Sequence, residues 1–95
     1  MPQKIIFSNQ AAEKLTSILN DVKTRFGNES KEKLKKAFQK TIISALLFPE
    51  IGKKYNERLR FLILKKKTLL FYRFENDIMY IVAVYSAREN WMLKI

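Results

Sequence analysis

Aliphatic and aromatic residues crowd into three segments in the second half of the chain, Arg58–Leu64, Leu69–Glu75 and Ile78–Ser86, with polar breaks between them. This pattern predicts an antiparallel meander of three strands. The first break is Lys65-Lys66-Lys67-Thr68. The second is Asn76-Asp77, two residue types that tolerate the left-handed backbone of a tight hairpin turn. Upstream the period changes. Lys4-Ile5-Ile6-Phe7 reads as a short strand, ended by Ser8 and Asn9, either of which can cap a helix. Ala11, Ala12, Leu15, Ile18, Leu19, Val22 and Phe26 then recur every three or four residues, which predicts a helix closed by Gly27. A second helix, capped by Asn28 or Ser30, follows through Leu34, Ala37, Phe38, Ile42, Ala45 and Leu46 until Pro49 limits it. So short a connection predicts an antiparallel helical hairpin. Residues from Pro49 to Glu57 read as a loop. The order strand, helix, helix, three strands specifies an α+β fold with the helices on one sheet face, in a single domain over residues 1–95.

Alternation assigns the faces of the meander. A turn at Asn76-Asp77 pairs Glu75 with Ile78, Arg73 with Tyr80 and Phe71 with Val82. A turn centred on Lys66-Lys67 pairs Leu64 with Leu69, Leu62 with Phe71 and Arg60 with Arg73. One face then carries Leu59, Phe61, Ile63, Leu70, Tyr72, Phe74, Met79, Ile81, Ala83 and Tyr85, without a charge, and is expected to meet the helices. The other mixes Arg58, Arg60, Arg73, Glu75 and Tyr80 with Leu62, Leu64, Leu69, Phe71, Ile78, Val82 and Val84. Like charges directly opposite destabilise a sheet, so Arg60 beside Arg73 calls for an acidic partner.

Composition narrows the chemistry. The 95 residues carry 19 Lys and Arg against 9 Asp and Glu, a formal charge of +10, which favours a polyanion or an acidic protein as partner. The lysines early in the second helix, Lys31, Lys33, Lys35, Lys36 and Lys40, read as a solvated polar face rather than a phosphate-binding surface. Cysteine and histidine are absent. That removes disulfides, thiol nucleophiles, the usual zinc sets and imidazole acid-base work, so no metal or cofactor is expected. No signal peptide or membrane span is visible, and a cytoplasmic location is the expectation. Trp91 reads as a packing residue of the tail, with base stacking as the sharper alternative.

In order and spacing, several pieces together resemble the RelE/ParE superfamily of type II toxin-antitoxin toxins. They are Phe7-Ser8 before Ala11-Ala12, Phe26-Gly27, Pro49 with Gly52, Arg58-Leu59-Arg60-Phe61-Leu62-Ile63, Leu70-Phe71-Tyr72-Arg73-Phe74-Glu75-Asn76-Asp77-Ile78, and Ile81-Val82-Ala83-Val84-Tyr85 with Arg88. The Arg58-x-Arg60 start and the Leu70-Phe71-Tyr72-Arg73 strand are most similar to the ParE-like branch. That resemblance implies a toxin that traps DNA gyrase in its cleaved-DNA state and is neutralised by an antitoxin with an acidic C-terminal segment.

The RelE-like branch, which cuts messenger RNA on the ribosome, places lysines and arginines around the hairpin that here carries Leu62, Leu64 and Leu69. Phosphoryl transfer needs charge at those positions. If the chain were such a nuclease, its set would be Arg60, Lys65 and Arg88. The antitoxin contacts expected from the mixed face are Arg58, Arg60, Leu62, Leu69, Phe71, Arg73, Tyr80 and Val82. Contacts to the target or to nucleic acid are expected at Lys53, Lys54, Arg88 and Trp91. The readings in play are a gyrase-binding toxin, a ribosome-dependent endoribonuclease, and a basic nucleic-acid-binding module without toxicity.

Overall fold

A computed structural model describes residues 4–65 and 67–89. Strand β1 (Lys4–Phe7) leads into helices α1 (Asn9–Phe26) and α2 (Asn28–Leu47). Strands β2 (Lys53–Lys54), β3 (Arg60–Leu64), β4 (Thr68–Glu75) and β5 (Ile78–Ser86) follow. Among the described residues these strands make one sheet in the order β1-β5-β4-β3-β2. All neighbours are antiparallel except β1 and β5, which run parallel. The α+β architecture matches the sequence reading. Two strand pairings do not appear in it: the return of β5 beside β1, and β2, which lies where a plain loop is expected.

Local chemistry sets the ends of the elements. The Ser8 hydroxyl accepts from the Ala11 N–H at 3.0 Å, capping α1, and donates to the Val82 carbonyl at 2.7 Å. The Gln10 side-chain amide then exchanges two bonds with the Val84 backbone, 2.7 and 2.9 Å, and continues the pairing of β5 beyond the end of β1. Gly27 alone joins the helices, at φ 95°, a backbone state that glycine adopts without steric penalty. It serves as C-cap of α1 and N-cap of α2, and α2 has no side-chain cap, so neither Asn28 nor Ser30 plays the expected role.

The main core lies between the helices and the sheet. Ala11, Phe38, Ile42 and Ala45 meet Leu64, Leu70, Tyr72, Met79, Ile81 and Val84. A second apolar cluster, Leu69, Phe71, Ala83 and Tyr85, is buried on the opposite sheet face, with the half-buried Tyr55, Phe61 and Val82 packed against it.

Two one-residue shifts distribute the side chains between these cores. Asn76 and Asp77, at φ 52° and 62°, form the expected two-residue turn, and Glu75 pairs with Ile78, Phe74 with Met79 and Arg73 with Tyr80. Past Tyr72 and Ile81 the register slips: Phe71 faces Ala83, and Val82 is the extra residue of a β-bulge. At the other hairpin the loop is three residues, with Lys65 at φ 52°, so Leu64 pairs with Thr68, Ile63 with Leu69 and Arg60 with Tyr72. Each shift sends the strand beyond it to the opposite face. Leu62, Leu64, Val84 and Arg60 therefore lie on the helix side, and Phe61, Ile63, Ala83 and Tyr85 on the other, the reverse of the expected assignment.

This register separates two neighbours of equal hydrophobicity. Leu64 is buried, whereas Ile63 is half exposed. Leu64→Ala should cost ~2–5 kcal/mol, and Ile63→Ala about 1 kcal/mol or less. Urea midpoints followed by circular dichroism measure both, and equal losses would contradict the register.

Candidate functional site

At the end of the sheet where β3 begins, β4 runs on. Its last residues, Arg73 to Glu75, have no partner in β3. A cleft of about 280 Å³ opens there, with Lys54, Arg58, Arg60 and Arg73 in its lining and Glu50 and Glu57 among them. Four cations against two carboxylates leave it net positive.

The surrounding loops are held by specific bonds. The Tyr72 hydroxyl accepts from the Gly52 N–H at 2.9 Å and donates to the Pro49 carbonyl at 2.8 Å. The Arg60 guanidinium donates to the Gly52 carbonyl at 2.9 Å and to the Glu50 carbonyl at 3.4 Å. Arg60 and Tyr72 are cross-strand partners on the helix side, so together they hold the segment after α2 against the sheet. A Cβ at residue 52 would lie 2.5 Å from the Tyr72 hydroxyl and 2.9 Å from the Phe61 carbonyl, which is why a glycine stands there. On the next turn, the Asn56 side-chain oxygen accepts from the Arg58 and Leu59 N–H groups, both at 2.8 Å, and fixes the approach of Arg58 to the cleft.

On the opposite face, Arg73 lies over the Tyr80 ring, 4.3 Å from its centroid, as cross-strand pairing predicts. Arg73 also makes an ion pair with Glu75. The row of Arg60, Arg73 and Tyr80 expected across one face is thus broken. Arg60 projects to the helix side, and its charge is met by backbone carbonyls rather than by an external acid. The apolar part of that expected face is also changed. Leu62 packs into the main core, while Leu69 and Phe71 are buried beneath aromatic neighbours. The Phe71 ring has Tyr55 at 5.3 Å, Phe61 at 5.5 Å and Tyr85 at 6.3 Å between centroids. Of the expected antitoxin contacts, Arg58, Arg73, Tyr80 and Val82 keep accessible surface outside the main core.

The other expected residues divide between the two ends of the sheet. Lys53 and Lys54 pair with Phe61 and Arg60 on the exposed edge at the cleft. Arg88 and Lys65 lie at the far end, where Thr68 faces both Leu64 and Ser86. Five residues of β3 put Arg60 roughly 16 Å from Lys65, so the nuclease set of Arg60, Lys65 and Arg88 does not converge. Trp91 lies outside the described residues. Sequence reasoning missed the cleft lining of Tyr72 and Glu50. The one signal for it was Gly52 close after Pro49, a spacing that allows tight contact without naming the contacting group.

Chemically the cleft is suited to hold an anion. Burial raises the Tyr72 phenol above its ordinary value of 10.0, partly opposed by the Gly52 N–H and the Arg60 charge. Its proton is also committed to Pro49, so at neutral pH it is neither a base nor a free acid. Among the described residues no cluster of acidic side chains could hold a metal ion, and no helix is long and apolar enough to cross a membrane.

The family model described as the ParE toxin of the type II toxin-antitoxin system parDE matches residues 5–91. The chain is also similar in fold to a solved chain of the chromosomal ParDE toxin-antitoxin system from P. aeruginosa. The TM-score is 0.73 and the identity 15%, over 90% of this chain and 96% of that one. No curated protein matches the sequence.

The bonds around Tyr72 yield a stability test. Tyr72→Phe leaves the Gly52 N–H and the Pro49 carbonyl without their partner and should cost about 1–3 kcal/mol at pH 7. The native phenol keeps its proton in the folded state above the pH at which the unfolded chain ionises. Its contribution is therefore complete below pH 10.0 and lost as pH rises past that value. Denaturant titrations between neutral and strongly alkaline pH should show a shallower alkaline decline in Tyr72→Phe than in the native chain. Parallel declines would refute the role given to this hydroxyl.

Proposed function

We propose, from the premise that this chain belongs to the ParE toxin family of type II toxin-antitoxin systems, that it arrests growth by binding DNA gyrase. We infer also that an antitoxin silences it by laying an acidic segment in the cleft of Lys54, Arg58 and Arg73 and onward past Tyr80. The observation that carries this reading is the cleft itself, in which Lys54, Arg58, Arg60 and Arg73 gather around an open strand end while the Tyr72 proton is held by the Pro49 carbonyl. Inhibition by binding needs a shaped, charged surface and no reacting group. Two cations stand clear of the backbone anchoring that occupies Arg60: Arg58, on a loop set by Asn56, and Lys54, on the sheet edge. Such exposed charges steer an anionic partner and set its orientation.

Several features support binding over messenger-RNA cleavage. Leu64 and Leu69 are buried, and Leu62 packs against the main core, so none presents a cation to a phosphate. Of the three basic residues that would replace them, Arg60 lies at one end of the sheet and Lys65 and Arg88 at the other. An antitoxin partner is implied by the family, and the structural relative is itself described as a ParDE system.

Expression of the chain alone should stop growth, which a basic module without toxicity would not do. The purified chain, mixed with gyrase and plasmid DNA, should slow supercoiling and accumulate cleaved complexes. Codon-positioned cuts in translated messages, with gyrase unaffected, would reject this target. Against its antitoxin, the Arg58→Ala/Arg73→Ala double variant should associate about tenfold more slowly at low salt, with a flatter salt dependence. Stopped-flow kinetics across ionic strengths would measure this, and an unchanged salt slope would remove the cleft from the antitoxin's path.

A further inference from the structure

The outward side of α2 changes character along its length. Lys33, Lys36, Lys40, Ile43 and Leu47 are exposed and recur at three- and four-residue spacing, so they form one stripe. Glu29 pairs with Lys33 at the N-terminal end, at 3.7 Å. The middle is cationic, and the C-terminal end is apolar. The apolar end continues off the helix: the Ile51 N–H donates to the Phe48 carbonyl at 3.0 Å, and this turn presents two more apolar side chains. Ile43 is 52% exposed, Leu47 49%, Phe48 65% and Ile51 52%. Single exposed apolar residues are ordinary on a surface, but four adjoining ones beside a row of lysines mark an interaction surface.

We propose that this stripe docks an amphipathic helix of a partner protein, with its apolar residues on Ile43, Leu47 and Phe48 and its carboxylates along Lys36 and Lys40. The occupant follows from charge and shape. A second copy would bring another chain of formal charge +10, and would set lysines against lysines if parallel or against the apolar end if antiparallel. A lipid surface is met by cations flanking an apolar face along its whole length. Here they precede it along the axis, in a strip one helix wide. An acidic helix laid lengthwise satisfies both halves. The inference does not depend on gyrase being the target or on an antitoxin filling the cleft, because it rests on a different surface.

The test uses the full chain and a synthetic peptide of 20 residues, the length of α2, with leucines on one helical face and glutamates beside them. Fluorescence anisotropy reads binding. Ile43→Ser/Leu47→Ser should weaken binding by about tenfold or more. Lys36→Glu/Lys40→Glu should weaken it comparably and abolish its salt dependence. Lys23→Glu/Lys35→Glu makes the same change in net charge away from the stripe, and should leave affinity within about threefold. All substituted side chains are exposed, and circular dichroism confirms that each variant remains folded. Four results would overturn the proposal: equal losses in the two charge-reversal variants, or full affinity in the serine variant. So would stripe-dependent binding to phosphatidylglycerol vesicles without peptide binding, or self-association that the serine variant abolishes.

Discussion

Strand β4 is buried on both faces, and the rest of the molecule accommodates that fact. Leu70 and Tyr72 project toward the helices and Leu69 and Phe71 away from them, all four at or near zero exposure. A strand in this position needs two covers. The helical hairpin supplies one, through Phe38, Ile42 and Ala45. Aromatic residues from the β2–β3 region and the end of β5 contribute to the other, with Tyr55, Phe61 and Tyr85 around the Phe71 ring. Both neighbours of β4 shift by one residue so that each cover receives side chains that fit it. The bulge at Val82 turns Val84 to the helices and Tyr85 to the aromatic side. The three-residue loop after Leu64 does the same for Leu64 and Phe61.

The cleft is a by-product of the same arrangement. Because β3 stops at Arg60 while β4 continues, the sheet has a notch, and the segment after α2 is drawn over it by Tyr72 and Arg60. Arg60 and Tyr72 are thereby engaged in holding the scaffold, which leaves Lys54, Arg58 and Arg73 to meet a ligand. Of these, Arg73 is partly neutralised by Glu75 and partly stacked on Tyr80, so its position is set before any partner arrives. Preset charges favour fast and oriented association.

The two charged surfaces differ in construction. The cleft is built from loops and strand ends, each fixed by a named hydrogen bond. The α2 stripe is built from helical periodicity alone, and its lysines and apolar residues keep their spacing because the inward side of the helix is packed into the main core. A basic chain with two such surfaces is suited to a partner that is both acidic and apolar, and less suited to bare nucleic acid, which has no use for Ile43, Leu47 and Phe48.

Read alone, the sequence determined the elements apart from β2, their order and the α+β class. Each depends on signals contained within a few residues: the helical period of α1, Gly27 at its end, Pro49 after α2, and Asn76-Asp77, whose side chains favour the positive φ the turn adopts. The Arg73–Tyr80 pair was legible for the same reason, since that turn lies only a few residues away. The faces of β3 and of the second half of β5 were not legible. Phe61-Leu62-Ile63-Leu64 and Ile81-Val82-Ala83-Val84 are apolar at both parities, so alternation carries no information there. Only the fit of two cores around β4 decides between registers that are locally equivalent, and that decision sends Arg60 to one side of the sheet and Arg73 to the other.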